Sequence, residues 1–255
     1  MPPRNRLVLI AATAVLILFG SAAQAQPTRL VKPTDLPNPY RLVEWPTLPK
    51  SMNGGRWGEV IRVHVHDDGK IWVFHRCFNT VPPGHATCLG RGDANPPILQ
   101  FDPAGKLLKS FGSGLFAYPH GFTVDKDGNL WTSDVNDATT VLGMSAKNAA
   151  GQIRGQEVLK LSPEGKVLMT IGRREDPVLS LNAMPGQGIY HGRNEKYRFG
   201  RQTDIAWDQQ GNIFVSDGYN DARVVKFDKN GRFLAQVGSE KTGSGLGEFN
   251  LPHGL

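Results

Sequence analysis

The segment Ile205-Ala-Trp-Asp-Gln-Gln-Gly211-Asn-Ile-Phe-Val-Ser-Asp217 decides the fold. Apolar and polar residues alternate on both sides of a central glycine. Alternation with a period of two marks a half-buried strand, and Gly after Gln or Asp supplies the positive φ of a tight hairpin turn. The same phrase occurs twice more, as Val63-His-Val-His-Asp-Asp-Gly69-Lys-Ile-Trp-Val-Phe-His75 and Phe122-Thr-Val-Asp-Lys-Asp-Gly128-Asn-Leu-Trp-Thr-Ser-Asp134. A second Gly-centred hairpin follows each copy: Phe101 to Gly112 around Gly105, Leu161 to Gly172 around Gly165, and Phe227 to Gly238 around Gly231. Two hairpins make a four-stranded sheet. A sheet repeated in this way is the blade of a β-propeller, so the expected class is all-β, with three blades.

Composition agrees. The 255 residues include 39% hydrophobic residues, 30 Gly and 18 Pro, which excludes a disordered chain or a collagen repeat. With two Cys the chain is no disulfide-dense mini-protein. Arg4 and Arg6 precede an apolar run from Leu7 to Phe19, and Ala23-Gln24-Ala25 offers small residues for cleavage. Residues 1–25 therefore read as a secretory signal peptide, giving an exported, periplasmic or secreted protein. Its removal would lower the net charge from +6 to +4. That charge is mild, and no Lys/Arg cluster interleaves with aromatics, so neither nucleic acid nor, after cleavage, a membrane is an expected partner. The expected state is a monomer. Residues 26–57 form a Pro-rich segment and 58–255 a partial propeller, with irregular insertions at 77–97, 137–154 and 173–200 read as rim loops. Cys77 and Cys88 suit a local disulfide in an exported chain, two free thiols being the alternative. Asn250-Leu-Pro-His-Gly-Leu255 opens a fourth repeat, so the chain is expected to continue through more blades.

Aligning the repeats on their turn glycines shows what converges. Eight residues before the turn stand Ile61, His120 and Thr203, and the Pro-His-Gly context adds His253. The first strand of each blade lines the central channel, so these positions share one height, with His120 and His253 on alternate blades. Imidazoles converging with an open position suit zinc. Seven residues after the turn stand Arg76, Val135 and Gly218, with Tyr219 next, on the same rim. A metal and a guanidinium both favour phenolate, which would make Tyr219 a general base. Asp134 and Asp217, recurring at one repeat position, read as turn stabilisers. Trp72, Trp131 and Phe214 read as packing between blades.

The blades resemble NHL repeats. Phe74-His-Arg76, Tyr118-Pro-His-Gly-Phe122, Val215-Ser-Asp-Gly-Tyr-Asn-Asp-Ala-Arg223 and Leu251-Pro-His-Gly254 are similar, in order and spacing, to motifs of the peptidyl-α-hydroxyglycine α-amidating lyases, six-bladed propellers of this class. The resemblance implies that His120 and His253 are zinc ligands, Tyr219 the base and Arg76 an assisting arginine. It implies a structural calcium held in part by the backbone carbonyls of Val63 and Phe122. A third histidine, a second arginine and an acidic calcium ligand would lie beyond Leu255, and the site encoded here would be incomplete. Asn220 stands where the animal enzymes carry a disulfide-bonded Cys. The implied reaction cleaves an N-acyl or peptidyl α-hydroxyglycine to a terminal amide and glyoxylate. Two other readings remain open: a non-catalytic binding propeller, and a gluconolactonase-type hydrolase, whose acidic and Asn ligands suit calcium.

Overall fold

The computed structural model describes residues 37–41, 48–77, 88, 95–135, 150, 152, 154–172, 196–219, 221–239 and 241–255. Residues 1–25, where a signal peptide is expected, most of the insertions, His85, His191 and Asn220 lie outside the described residues. The chain divides into two compact units, Met1–Glu44 and Trp45–Leu255. In the first, 37–41 is described and lacks regular secondary structure.

The described residues of the second unit form twelve strands in three four-stranded antiparallel sheets. The first blade comprises β1 (Val60–Val65), β2 (Ile71–His75), β3 (Ile98–Phe101) and β4 (Leu107–Phe111). The second comprises β5 (Pro119–Val124), β6 (Leu130–Asp134), β7 (Glu157–Leu161) and β8 (Val167–Ile171). The third comprises β9 (Gln202–Trp207), β10 (Ile213–Asp217), β11 (Ala222–Phe227) and β12 (Phe233–Ser239). Within each sheet the strands follow chain order, and the first strands pack side by side, β5 between β1 and β9. These are the blades of a β-propeller, as the repeats predict.

The turn chemistry is visible in the backbone. Gly69, Gly128 and Gly211 have φ of +79°, +79° and +80°, a region that a β-carbon makes costly. An acidic side chain closes each neighbouring loop. Asp125 and Asp208 each accept the N–H of the Asn four residues on, at 2.8 Å, so the sharp reversal leaves few backbone groups unpaired.

Apolar burial lies between sheets, because each strand presents alternate residues to a neighbouring blade. Trp72, Phe74, Ile98, Phe116, Phe122 and Leu159 fill the space between the first and second blades. Trp131, Val158, Ile205, Val215 and Phe227 do so between the second and third. Leu48, with Met52 and Trp57, covers Val73, Leu99 and Phe101 on the remaining face of the first blade. Trp72 and Trp131 are buried in these seams. Phe214, their counterpart in the third blade, is half-buried with the Lys226 ammonium 4.9 Å from its ring centroid.

Candidate active site

One backbone irregularity recurs in all three blades. Between the first and second strands the pairing skips a residue: Val60 faces His75 while Arg62 faces Phe74, and Gln202 faces Asp217 while Asp204 faces Ser216. In the second blade, Pro119 faces Asp134 and Phe122 faces Thr132. Each is a β-bulge, and the extra residues are Ile61, His120 (with Gly121) and Thr203. A bulge re-aims the side chain it carries. The three positions that the sequence aligned are thus the places where the inner strands are irregular.

His120 is buried at the start of β5. Its Nδ1 lies 2.9 Å from the Thr203 carbonyl, which can only accept, so Nδ1 carries the proton and Nε2 presents a lone pair. Burial is the main cause that pushes the imidazole down to about 4. The carbonyl bond pulls it up, while His253, Arg76 and Arg62 add to the lowering. The ring is therefore neutral at physiological pH, as a metal ligand or hydrogen-bond acceptor must be.

Tyr219 and His253 meet that lone pair. The Tyr219 hydroxyl is 3.2 Å from His120 Nε2 and 2.8 Å from His253 Nε2, and the two imidazole centroids are 4.9 Å apart. The phenol can donate to His120 while His253 donates to the phenol oxygen. This convergence depends on close backbone approach. A β-carbon on Gly218 would collide with the Pro252 carbonyl. That same carbonyl accepts the Thr203 hydroxyl at 2.8 Å, and Ser216 lies 2.8 Å from the Thr203 hydroxyl on its other side. Residues 250–255 contain no strand, yet these bonds hold His253 against β9. Tyr219 remains 44% exposed, so the cluster opens to solvent.

Arg76 shares this rim but points into other company. Its Nη1 is 2.7 Å from Glu59 Oε1, its Nε donates to the Pro119 carbonyl at 3.1 Å, and its guanidinium stacks 3.8 Å from the Tyr118 ring centroid. Its described partners do not include Tyr219. Val63 and Phe122 occupy one register on β1 and β5, facing Val73 and Thr132. The Val63 side chain is exposed and the Phe122 ring is buried.

Asp134 and Asp217 do more than close their own turns. Asp134 accepts the Ala117 and Tyr118 N–H groups, both at 2.5 Å. Asp217 accepts those of Gly200 and Arg201, at 3.0 and 2.8 Å. Each carboxylate pins the backbone just before the inner strand and so fixes where the bulge begins. Asp217 is itself held by Arg223 through Nε and Nη2, at 3.2 and 3.0 Å, with both side chains buried. Sequence reasoning missed Glu59 and the carbonyl of Thr203. Glu59 has the non-acidic Tyr118 and Arg201 as its counterparts in the other repeats, and a carbonyl role leaves no mark on residue type. The Cys77–Cys88 disulfide is formed, with Cα atoms 5.2 Å apart, and Cys88 N–H reaches the Ala117 carbonyl at 2.9 Å. The disulfide thereby joins the end of the first inner hairpin to the strand entry of the second blade.

No protein-family model matches the chain. A probable peptidyl-alpha-hydroxyglycine alpha-amidating lyase of Caenorhabditis elegans is 31% identical over 209 residues, covering 78% of this chain and 49% of that protein. Peptidyl-glycine alpha-amidating monooxygenase B of Xenopus laevis is 37% identical over 163 residues, 62% of this chain and 15% of that protein. The chain thus spans about half the length of the worm relative and a smaller share of the frog one. Among solved structures, a gluconolactonase of Xanthomonas campestris aligns over 70% of this chain and 46% of its own, at 16% identity and a TM-score of 0.40. That likeness is too distant to bear on the site. By sequence, the chain is thus similar, over part of their length, to a probable peptidyl-alpha-hydroxyglycine alpha-amidating lyase and to an alpha-amidating monooxygenase.

Proposed function

We propose that the protein is a metal-dependent lyase that converts an N-acyl or peptidyl α-hydroxyglycine to a terminal amide and glyoxylate. The observation that carries this reading is the meeting of His120 Nε2, the Tyr219 hydroxyl and His253 Nε2 at one solvent-accessible point. The fixed tautomer of His120 turns its Nε2 lone pair into the cluster, which is what a ligating histidine needs, and His253 brings a second imidazole to the same point. His120 and His253 would hold the ion, which when bound supplies Lewis acidity toward the substrate's α-hydroxyl. Tyr219, acting in its phenolate form, takes the proton from that hydroxyl and becomes the phenol. As the C–O π bond forms, the C–N bond breaks, and the proton passes to the departing amide nitrogen, so atoms and charge balance. Arg76, locked beside Pro119, places a fixed positive charge near His120. A structural calcium would take the Val63 and Phe122 carbonyls, which share a height on adjacent inner strands. Two carbonyls are only part of the roughly six to eight oxygens that calcium takes, so no step depends on it.

Export with cleavage of residues 1–25 accords with the Cys77–Cys88 disulfide, which persists in an oxidising compartment. Among the described residues no helix is long and apolar enough to cross a membrane. We take the working state as a monomer.

The test is turnover of α-hydroxyhippurate together with metal content. Tyr219→Phe should lower kcat about 100-fold or more with bound zinc retained. His120→Ala should lose zinc and turnover together. Wild-type rates in both variants would reject the mechanism. A protein that binds no zinc and turns over no carbinolamide would instead be a binding propeller.

A further inference from the structure

Arg62 stands one residue beyond the bulge of β1, the place that Gly121 takes in β5 and Asp204 takes in β9. β5 lies between those strands, and its equivalent residue has no side chain. The Arg62 side chain crosses from the first blade to the third, where Nη2 is 3.3 Å from Asp204 Oδ2. Asp204 follows Thr203, whose carbonyl accepts from His120. Its Oδ2 also accepts the Leu255 N–H at 3.3 Å, two residues past His253. Arg62 is therefore tied, through one carboxylate, to both histidine-bearing segments.

The two arginines near the site differ in what they have left to give. Arg76 has its side chain 9% exposed, with Glu59, the Pro119 carbonyl and the Tyr118 ring taking Nη1, Nε and one face. Arg62 has its side chain 36% exposed and Asp204 as its described partner, through Nη2 alone. A guanidinium held at one corner keeps N–H donors for a planar anion and is already oriented to receive it. The substrate class has one such anion, the carboxylate next to the carbon that bears the hydroxyl.

We infer that Arg62 binds the substrate's carboxylate and so makes the site selective for a free carboxylate over a neutral carbinolamide, with Asp204 as its positioning residue. This inference rests on the lyase reading and is separable from it. The experiment compares α-hydroxyhippurate with its methyl ester in the wild-type protein, Arg62→Ala and Arg62→Lys. It also measures calorimetric binding of hippurate, which cannot react.

The expected result is that Arg62→Ala raises KM for the acid about 10- to 100-fold while the ester is unaffected. Arg62→Lys should recover part of the loss, and hippurate binding should fall in step. An unchanged far-ultraviolet spectrum and melting temperature would exclude misfolding. If the wild-type protein turns over the acid and Arg62→Ala keeps the wild-type ratio of acid to ester, the Arg62 assignment is overturned and the lyase reading stands. If the wild-type protein turns over neither substrate yet binds hippurate in an Arg62-dependent way, the lyase reading fails and the carboxylate site stands. Loss of both removes both.

Discussion

Gly218 shows how one missing β-carbon sets the chemistry of the rim. It lets the Pro252 carbonyl approach the start of the segment that carries Tyr219, and that approach puts His253 on the phenol. Gly218→Ala should push residues 250–255 away. The expected outcome is at least a tenfold weaker zinc affinity in a competition titration, with the melting temperature nearly unchanged because little apolar burial is lost. Arg223 acts in the opposite sense, on stability. It is buried against Asp217 and also donates to Gln236 Oε1 at 3.0 Å. Arg223→Ala would leave the Asp217 carboxylate buried with its charge unmatched and should cost roughly 3 to 5 kcal/mol in denaturant unfolding. Arg223 was visible in the sequence as the end of the Val215–Arg223 motif, and Tyr219 by its register. Their partners were not. A carbonyl acceptor can belong to any residue type, and Glu59 stands at a repeat position that Tyr118 and Arg201 fill in the other blades, so no shared residue type marked it.

The hairpins themselves were legible because their turns demand particular residues. Gly at positive φ, preceded by Asp or Gln, is a constraint that sequence must satisfy openly. The bulges impose no such demand. Ile61, His120 and Thr203 have nothing in common as residue types, and only hydrogen-bond register reveals that each is the extra residue in its strand. Sequence therefore placed these residues at one height and concealed the bulges that aim them. The disulfide belongs to this scale as well, since it closes the loop after the first inner hairpin over a separation of 11 residues. Closing a loop of that size restricts the unfolded chain by about 3 kcal/mol. The Cys77→Ser, Cys88→Ser double variant should lose about that much stability. It should also loosen the Ala117 strand entry, read as faster amide exchange at Ala117 and Tyr118. Unchanged exchange there would show that Asp134 alone holds the entry.

For the molecule as a whole, acid is the informative stress. His75 occupies the repeat position held by Asp134 and Asp217, fully buried beneath Trp57, and burial pushes its pKa down to about 4. The unfolded chain takes up that proton near the ordinary value of about 6.5. Between those values the unfolded state binds more protons, so its contribution is complete above about 6.5 and drains away as pH falls toward 4. The protein should lose up to roughly 3 kcal/mol from this residue over that interval. Replacing His75 with Asn should flatten the acid limb of the stability profile. An identical limb in the variant would assign the loss to other groups.

The three inner strands also fix an order of events. Each blade pairs its strands with near neighbours in the chain, whereas the cluster of His120, Tyr219 and His253 joins residues as far as 133 positions apart. Local sheets close their loops cheaply and early, and distant contacts wait for them. The imidazole–phenol cluster is then the last thing to form on folding and the first to open. Its tyrosine absorbance offers a built-in clock for the moment when separately finished blades dock against one another.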